Sequence, residues 1–286
     1  MRLTLLRLLS GTATVLAIAA VAYVVRGAVD VGASDGPTLP VSTPVGAAGT
    51  FTLRSAGDNV VPKGAALIAT AKGSTIRVYE RPVTVKRAKR ARSGKAAGGA
   101  KRAGKASAGT KLLKQRVFNK QRIPLTFLVV SRRKGWLRVE LPTRPNQSRG
   151  WIRRTAVTLS FTTMRIVVRR GAHRIRLYDG KRVVMTRKIA VGEAISPTPA
   201  GRYFVTDIIR AKRPEGFYGP YALGLSAHSN VYTSFAGGNG QVGIHGTNDP
   251  SALGTDVSRG CVRVRNDVIA ELAKLVPIGT PVTIRA

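Results

Sequence analysis

The chain of 286 residues contains one cysteine, Cys261, inside Ser258-Arg259-Gly260-Cys261-Val262-Arg263. Sixteen residues before it stands His245, inside Gly243-Ile244-His245-Gly246-Thr247-Asn248. A free thiol is mostly protonated at neutral pH, and the thiolate is the nucleophile. An imidazole within reach takes the proton, so this pair is a minimal set for covalent acyl transfer, expected as a thiolate–imidazolium pair. Arg259 and Arg263 would favour the thiolate if their side chains face it. Gly246 and Gly260 allow close backbone approach, and the N–H groups around Gly260 and Cys261 are candidate oxyanion donors. Ser258 can bond within the turn or to a substrate peptide. The histidine has no evident acidic partner, so a backbone carbonyl, most simply that of Gly246, is the expected orienting group. A lone cysteine can also be a buried, inert apolar residue. His173 and His228 read as structural or solvent-exposed, Asp249 and Asp256 as turn or solubility residues. No Cys/His cluster suggests zinc.

Sixteen residues are too many for one helical turn, so only the tertiary fold can bring His245 to Cys261. The surrounding sequence is mainly β. Met164–Arg170 alternates, with Ile166 and Val168 on one face. Arg174–Tyr178 and Arg182–Met185 flank Asp179-Gly180, a hairpin signal. Arg202–Ile209 and Pro281–Arg285 are further strands. After the cysteine, Val268, Ile269, Leu272, Leu275 and Val276 recur at helical spacing, Asn266 is the expected cap, and Pro277 and Gly279 end the helix. Tyr218 and Tyr221 belong to a segment, Pro214 to Gly240, that could cover the site.

Upstream, residues 61–160 read as a small β-barrel-like module with strands at Ile76–Tyr79, Leu125–Val130, Trp136–Glu140 and Trp151-Ile152. Its tryptophans are expected to be core residues, with Trp136 and Arg138 facing away from Leu137 and Val139. A polar turn region, Pro142 to Ser148, lies between them. From Arg81 to Arg122 there are 15 Lys/Arg and no Asp or Glu. Its centre, about 86–116, is nearly all Ala, Gly, Lys, Arg and Ser and is expected to be disordered. Residues 27–60 have linker composition. The uncharged stretch Leu8–Val25 would span ~27 Å as a helix. Within residues 1–26 it is expected to be a signal-anchor, the alternative being a signal peptide cleaved near Val31-Gly32-Ala33. Either one places the rest of the chain in the cell envelope, at the outer face of the cytoplasmic membrane or released into the wall. Lys+Arg 48 against Asp+Glu 13 gives a net charge of +35, which favours polyanionic partners. Outside the membrane, those are anionic envelope polymers rather than nucleic acid.

The His-Gly segment followed by Ser-X-Gly-Cys, a small apolar residue and Arg resembles the signature of the L,D-transpeptidase catalytic domain. The resemblance runs from about Met164 to Ile284, over a domain expected at 162–286, and includes Tyr218-Gly219-Pro220 and Ala222 to Ser226. The chain departs from it at Arg259, where the family often carries His. The weaker likeness of residues 61–160 is to bacterial Src-homology-like small β-barrels. The main resemblance implies a thioester enzyme that forms 3→3 peptidoglycan cross-links from stem peptides, with Cys261 as nucleophile and His245 as base. Gly246 and Gly260 would orient the base or shape the oxyanion site. Ser258, Arg259, Arg263, Thr247, Asn248 and Tyr218 would bind substrate. It implies carbapenem-type inhibitors, no cofactor and no metal. Alternatives left open are L,D-carboxypeptidase action, protein-to-wall attachment, and a non-catalytic envelope-binding scaffold.

Overall fold

The computed structural model describes residues 61–82, 111–114, 116–118, 121–234 and 238–286. The expected membrane segment, the linker and most of the basic insertion lie outside the described residues. No helix among the described residues is long and apolar enough to cross a membrane.

The upstream module contributes β1 (Ala66–Ala71), β2 (Thr75–Val78), β3 (Lys111–Lys114), β4 (Arg116–Phe118), β5 (Gln121–Ile123), β6 (Thr126–Arg133), β7 (Trp136–Glu140), β8 (Arg149–Arg153) and β9 (Val157–Thr162). Five of these form an antiparallel sheet in the order β8-β7-β6-β1-β9, while β2–β3 and β4–β5 are two-stranded ribbons. The β2–β3 ribbon joins the far edge through a bridge from Tyr79 to Trp151. No ladder among the described residues joins β8 to β9. One expectation is corrected here. Lys111–Lys114, placed within the disordered insertion, is strand, because Leu113 pairs with Ile76 and packs on the module's core. Trp136 is buried as expected, on the face away from Leu137 and Val139, where Tyr79 meets its ring edge-on at 5.0 Å and the Arg153 guanidinium lies 4.2 Å from its centroid.

The downstream module has β10 (Met164–Arg169), β11 (Arg174–Asp179), β12 (Arg182–Lys188), β13 (Val191–Gly192), β14 (Gly201–Arg210), β15 (Tyr221–His228), β16 (Gln241–His245), β17 (Asp256–Ser258), β18 (Val262–Arg263), α1 (Asn266–Leu275) and β19 (Pro281–Arg285). Eight strands form one sheet in the order β12-β11-β10-β19-β14-β15-β16-β18. Within it, β10–β19 and β16–β18 are parallel and the other pairs antiparallel. The β11–β12 hairpin turns at Gly180-Lys181 rather than Asp179-Gly180, since Asp179 still pairs with Arg182 and only Gly180 takes a positive φ (55°). A glycine at the first turn position suits the twist of the two strands.

Helix α1 lays Val268, Ile269 and Leu272 on the sheet, against β15 and β16. Asp267 in its first turn and Lys274 in its last complement the helix dipole. Arg265, not Asn266, occupies the cap position and makes no side-chain cap bond. Asn266 is the first helical residue, and its carboxamide is used elsewhere.

The two modules meet along the polar turn after β7. Arg144 donates to the carbonyls of Ser229 (2.6 Å), Tyr232 (3.0 Å) and Asn239 (3.3 Å). Asn146 exchanges two hydrogen bonds with the His228 backbone, at 2.7 and 2.8 Å. Ile68 of β1 fills the space beside Gly279, where a Cβ would strike its side chain.

Candidate active site

The pairing of β16 with β18 sets Ile244 beside Val262 and His245 beside Arg263. Ile244 and Val262 are both fully buried in the core. Side chains alternate along a strand, so His245 and Cys261 project from the face opposite Ile244 and Val262. Extending the register by one residue sets Cys261 beside Gly243, whose backbone hydrogen-bonds the sulfur. The imidazole and the thiol are thus diagonal neighbours on adjacent strands. On the outer side, the Arg263 backbone exchanges two hydrogen bonds with Ala190, at 2.9 and 3.0 Å, and Val264 N–H donates to the His245 carbonyl at 2.9 Å.

His245 is 2% exposed, and its Nδ1 lies 2.6 Å from the Gly246 carbonyl oxygen. A carbonyl only accepts, so Nδ1 carries the hydrogen and donates, and Nε2 is left as the basic nitrogen. Burial depresses the imidazole to a pKa of about 4, with the Arg263 charge adding to the effect and the Gly246 bond opposing it. Burial pushes the Cys261 thiol up, while the Gly243 bond and Arg263 pull it down. Both shifts favour the neutral forms. They run against the expected thiolate–imidazolium pair: burial outweighs Gly243 and Arg263 at the thiol, while at the imidazole burial and Arg263 act together against the charged form. A neutral thiol–imidazole pair can transfer its proton as the sulfur attacks. Cys261 itself is only partly buried.

The segment 211–220, between β14 and β15, covers the imidazole. The rings of Tyr218 and Phe217 lie 4.8 and 5.8 Å from that of His245, centroid to centroid. The Arg263 guanidinium stacks over Phe217 at 4.7 Å. Burial and the nearby Cys261 sulfur raise the Tyr218 phenol above its ordinary value, which Arg263 partly offsets. The remainder of the expected cover belongs elsewhere. Ser229, Tyr232 and Asn239 lie beyond the ends of β15 and β16 remote from His245, where Arg144 bonds their carbonyls.

The turn before the cysteine is closed by Ser258. Its hydroxyl donates to the Cys261 carbonyl at 2.5 Å and accepts from Gly260 N–H at 3.1 Å, and the residue is 1% exposed. This changes two sequence assignments. Ser258 is committed to the turn rather than open to a substrate, and the Gly260 N–H is already bonded, which leaves Cys261 N–H as the oxyanion candidate of that turn. Gly260 itself takes φ 108°, a conformation that favours glycine.

Thr247 is buried, with its hydroxyl bonded to the Asp249 backbone. Asn248 and Arg259 are exposed at the rim. Arg263 has a buried Nε without a hydrogen-bond partner and reaches both His245 and Cys261 electrostatically. Asp249 stabilises its own turn through Ser251, and Asp256 pairs with His173 at 2.7 Å. His228 is buried against Asn239.

Sequence reasoning missed Phe217, Gly219 and the brace on the Cys261 turn. In that brace, Glu193 N–H donates to the Ser258 carbonyl at 2.9 Å, and Gly192 N–H donates to Thr198 Oγ1 at 2.8 Å. Only Tyr218-Gly219-Pro220 carried a signal for any of these.

Among the described residues no group of three or more His, Cys, Asp or Glu is arranged to hold a metal. A cleft of about 490 Å³ between the modules, lined by Glu140, Arg149, Arg165 and Arg202, includes neither Cys261 nor His245.

Residues 163–284 match the YkuD family, described as the L,D-transpeptidase catalytic domain. YkuD of Bacillus licheniformis, which carries L,D-transpeptidase in its name, is 41% identical over 120 residues, 42% of this chain and 64% of that protein. The chain thus spans just under two thirds of that relative's length. YqjB of Bacillus subtilis, also named for L,D-transpeptidase, is 30% identical over 125 residues, 42% of this chain and 69% of that protein. A solved L,D-transpeptidase of Enterococcus faecium is 24% identical with a TM-score of 0.34, covering 43% of this chain and 50% of that one. Cys261 and His245 both lie within the matched span, and through it the chain belongs to the YkuD family of L,D-transpeptidase catalytic domains.

Proposed function

We propose that this protein is a cysteine-dependent peptidoglycan L,D-transpeptidase that forms 3→3 cross-links. Cys261 attacks the carbonyl at the L-centre of the third residue of a stem tetrapeptide. His245 Nε2 takes the thiol proton in the same step and returns it to the amine of the departing D-alanine, leaving a thioester. The side-chain amine of a neighbouring diaminopimelate attacks the thioester, loses a proton to His245 and frees the sulfur. Cys261 N–H, rather than that of Gly260, stabilises the tetrahedral oxyanion. Arg263 binds a stem-peptide carboxylate, with Arg259 at the rim, and Tyr218 shapes the acyl site.

The observation that supports this reading is the projection of His245 and Cys261 from one face of adjacent parallel strands, with Nδ1 tied to the Gly246 carbonyl. We place the enzyme at the outer face of the cytoplasmic membrane, held by residues 8–25 or released into the wall. There the basic insertion contacts anionic envelope polymers.

The test is turnover of a diaminopimelate-containing tetrapeptide by the full chain and by Cys261→Ala. The expected result is a cross-linked dimer and a carbapenem adduct on Cys261 by mass spectrometry, both lost in the variant. Tripeptide alone would assign L,D-carboxypeptidase action instead. Equal turnover by Cys261→Ala would remove the cysteine from the reaction, and a wild-type chain with neither turnover nor adduct would leave the scaffold reading.

A further inference from the structure

Two segments distant from it in sequence converge on the side chain of Asn266. Its Oδ1 accepts from Thr247 N–H at 2.9 Å, and its Nδ2 donates to the Pro214 carbonyl at 3.5 Å. A Cβ on either Gly219 or Gly246 would collide with the same Oδ1, and the two glycines are themselves so close that a Cβ on Gly219 would lie 2.7 Å from Gly246 Cα. The carboxamide is therefore packed between the loop that follows His245 and the loop that covers it.

The Thr247 N–H and the Gly246 carbonyl belong to one peptide group. Its carbonyl takes the hydrogen of His245 Nδ1 at 2.6 Å, and its N–H is given to Asn266. A planar peptide cannot turn one end without the other. Fixing the N–H thus fixes the direction of the carbonyl, and so which imidazole nitrogen carries the hydrogen. An N–H already donating also makes its carbonyl a better acceptor, through polarisation of a hydrogen-bond chain. In a buried site the carbonyl has little water to hold it in place by other means. The helical position of Asn266 supplies the rigidity, since Val268 and Ile269 in the same turn are packed in the core.

We propose that Asn266 is a positioning residue for His245, acting through the Gly246–Thr247 peptide to hold the imidazole with Nε2 basic and turned to Cys261. The kinetic part rests on the transpeptidase reading, whereas the tautomer part does not.

The experiment compares the full-length wild type with Asn266→Leu, Asn266→Ala and Asn266→Asp. Leucine conserves the shape and removes both hydrogen bonds, alanine opens space, and aspartate keeps the acceptor toward Thr247 but loses the donor toward Pro214. The first readout is the ring nitrogen shifts of ¹⁵N-labelled His245 near pH 7. The expected result is one Nδ1–H tautomer in the wild type and in Asn266→Asp, and averaging between tautomers in Asn266→Leu and Asn266→Ala. If the leucine variant does not fold, the alanine–aspartate pair carries the same contrast. The second readout is tetrapeptide turnover, with kcat lowered on the order of five- to tenfold in the leucine and alanine variants, the worth of one hydrogen bond, at unchanged KM. An unaltered Nδ1–H tautomer in the leucine or alanine variant would overturn the proposal. So would equal loss of the tautomer in Asn266→Asp, which would assign the effect to the Pro214 contact. Absence of turnover in the wild type itself would count against the transpeptidase reading and leave the tautomer result standing.

Discussion

At the scale of single residues, burial governs the chemistry more than formal charge. The chain carries a net charge of +35, and two arginines flank Cys261, yet burial pushes the thiol up; at the imidazole burial and the Arg263 charge both push down. A histidine whose folded pKa is about 4, against an ordinary 6.5, is protonated more readily once unfolded. The unfolded chain then binds the extra proton between those values, so His245 makes stability rise with pH across the window. Its full contribution is present above pH 6.5 and is lost as pH falls to 4, in total about 3 kcal/mol. The expected outcome is a urea midpoint that drops as pH falls from 6.5 to 4, with a shallower drop in His245→Gln. The same slope in that variant would show that other groups carry the pH dependence. The candidate pair was legible through the combined His-Gly and Ser-X-Gly-Cys segments and their resemblance to a family signature, since a Gly-Cys or a His-Gly alone would not have singled it out. The shift toward the neutral forms was not, since it depends on how much protein covers the groups.

At the scale of elements, the site depends on how the short strand β18 is held. Its parallel register with β16 aligns the pair, and β13 beside β17 braces the turn before Cys261. Gly192 is the tight point of that brace. A Cβ there would strike the Ser196 carbonyl oxygen and lie 2.5 Å from Thr198 N, both backbone atoms that cannot swing away. Gly192 pairs with Ser258, so the displacement reaches the hydroxyl that closes the Cys261 turn. Gly192→Ala is expected to cost about 1–3 kcal/mol in denaturant unfolding, typical of overpacking, and to slow acylation of Cys261. Unchanged stability and an unchanged acylation rate would refute the brace. The long alternating strands and the helix were readable from apolar periodicity. Strands of two or three residues, such as β13 and β18, carry no period and were not.

At the scale of the whole molecule, the polar groups of one turn help to fasten the upstream module to the downstream one, beside the Ile68–Gly279 contact. Arg144 caps the carbonyls of Ser229, Tyr232 and Asn239, beyond the ends of β15 and β16 remote from His245. Arg144→Ala is expected to lower stability by about 1–2 kcal/mol, the scale of the hydrogen bonds lost. It should leave tetrapeptide turnover within about twofold, since those bonds are made away from the Cys261–His245 pair. Calorimetry and a turnover assay on the same sample test both parts. A large drop in turnover at unchanged stability would mean that the module junction communicates with the site. Pro142 to Ser148 read only as a polar turn, because hydrogen bonds to distant backbone carbonyls leave no local pattern.

The sequence by itself named the candidate reacting atoms, and determined that the chain is mainly β and that a helix follows the cysteine. These follow from residue type, from alternation and from helical spacing, all of which are local. Tertiary structure decided the rest: that burial shifts the thiol and the imidazole toward their neutral forms, that Ser258 takes the Gly260 N–H, and that Asn266 turns from the helix end to the peptide beyond His245. Each depends on burial or on a hydrogen bond between residues far apart along the chain, where desolvation and geometry, not residue type, set the outcome.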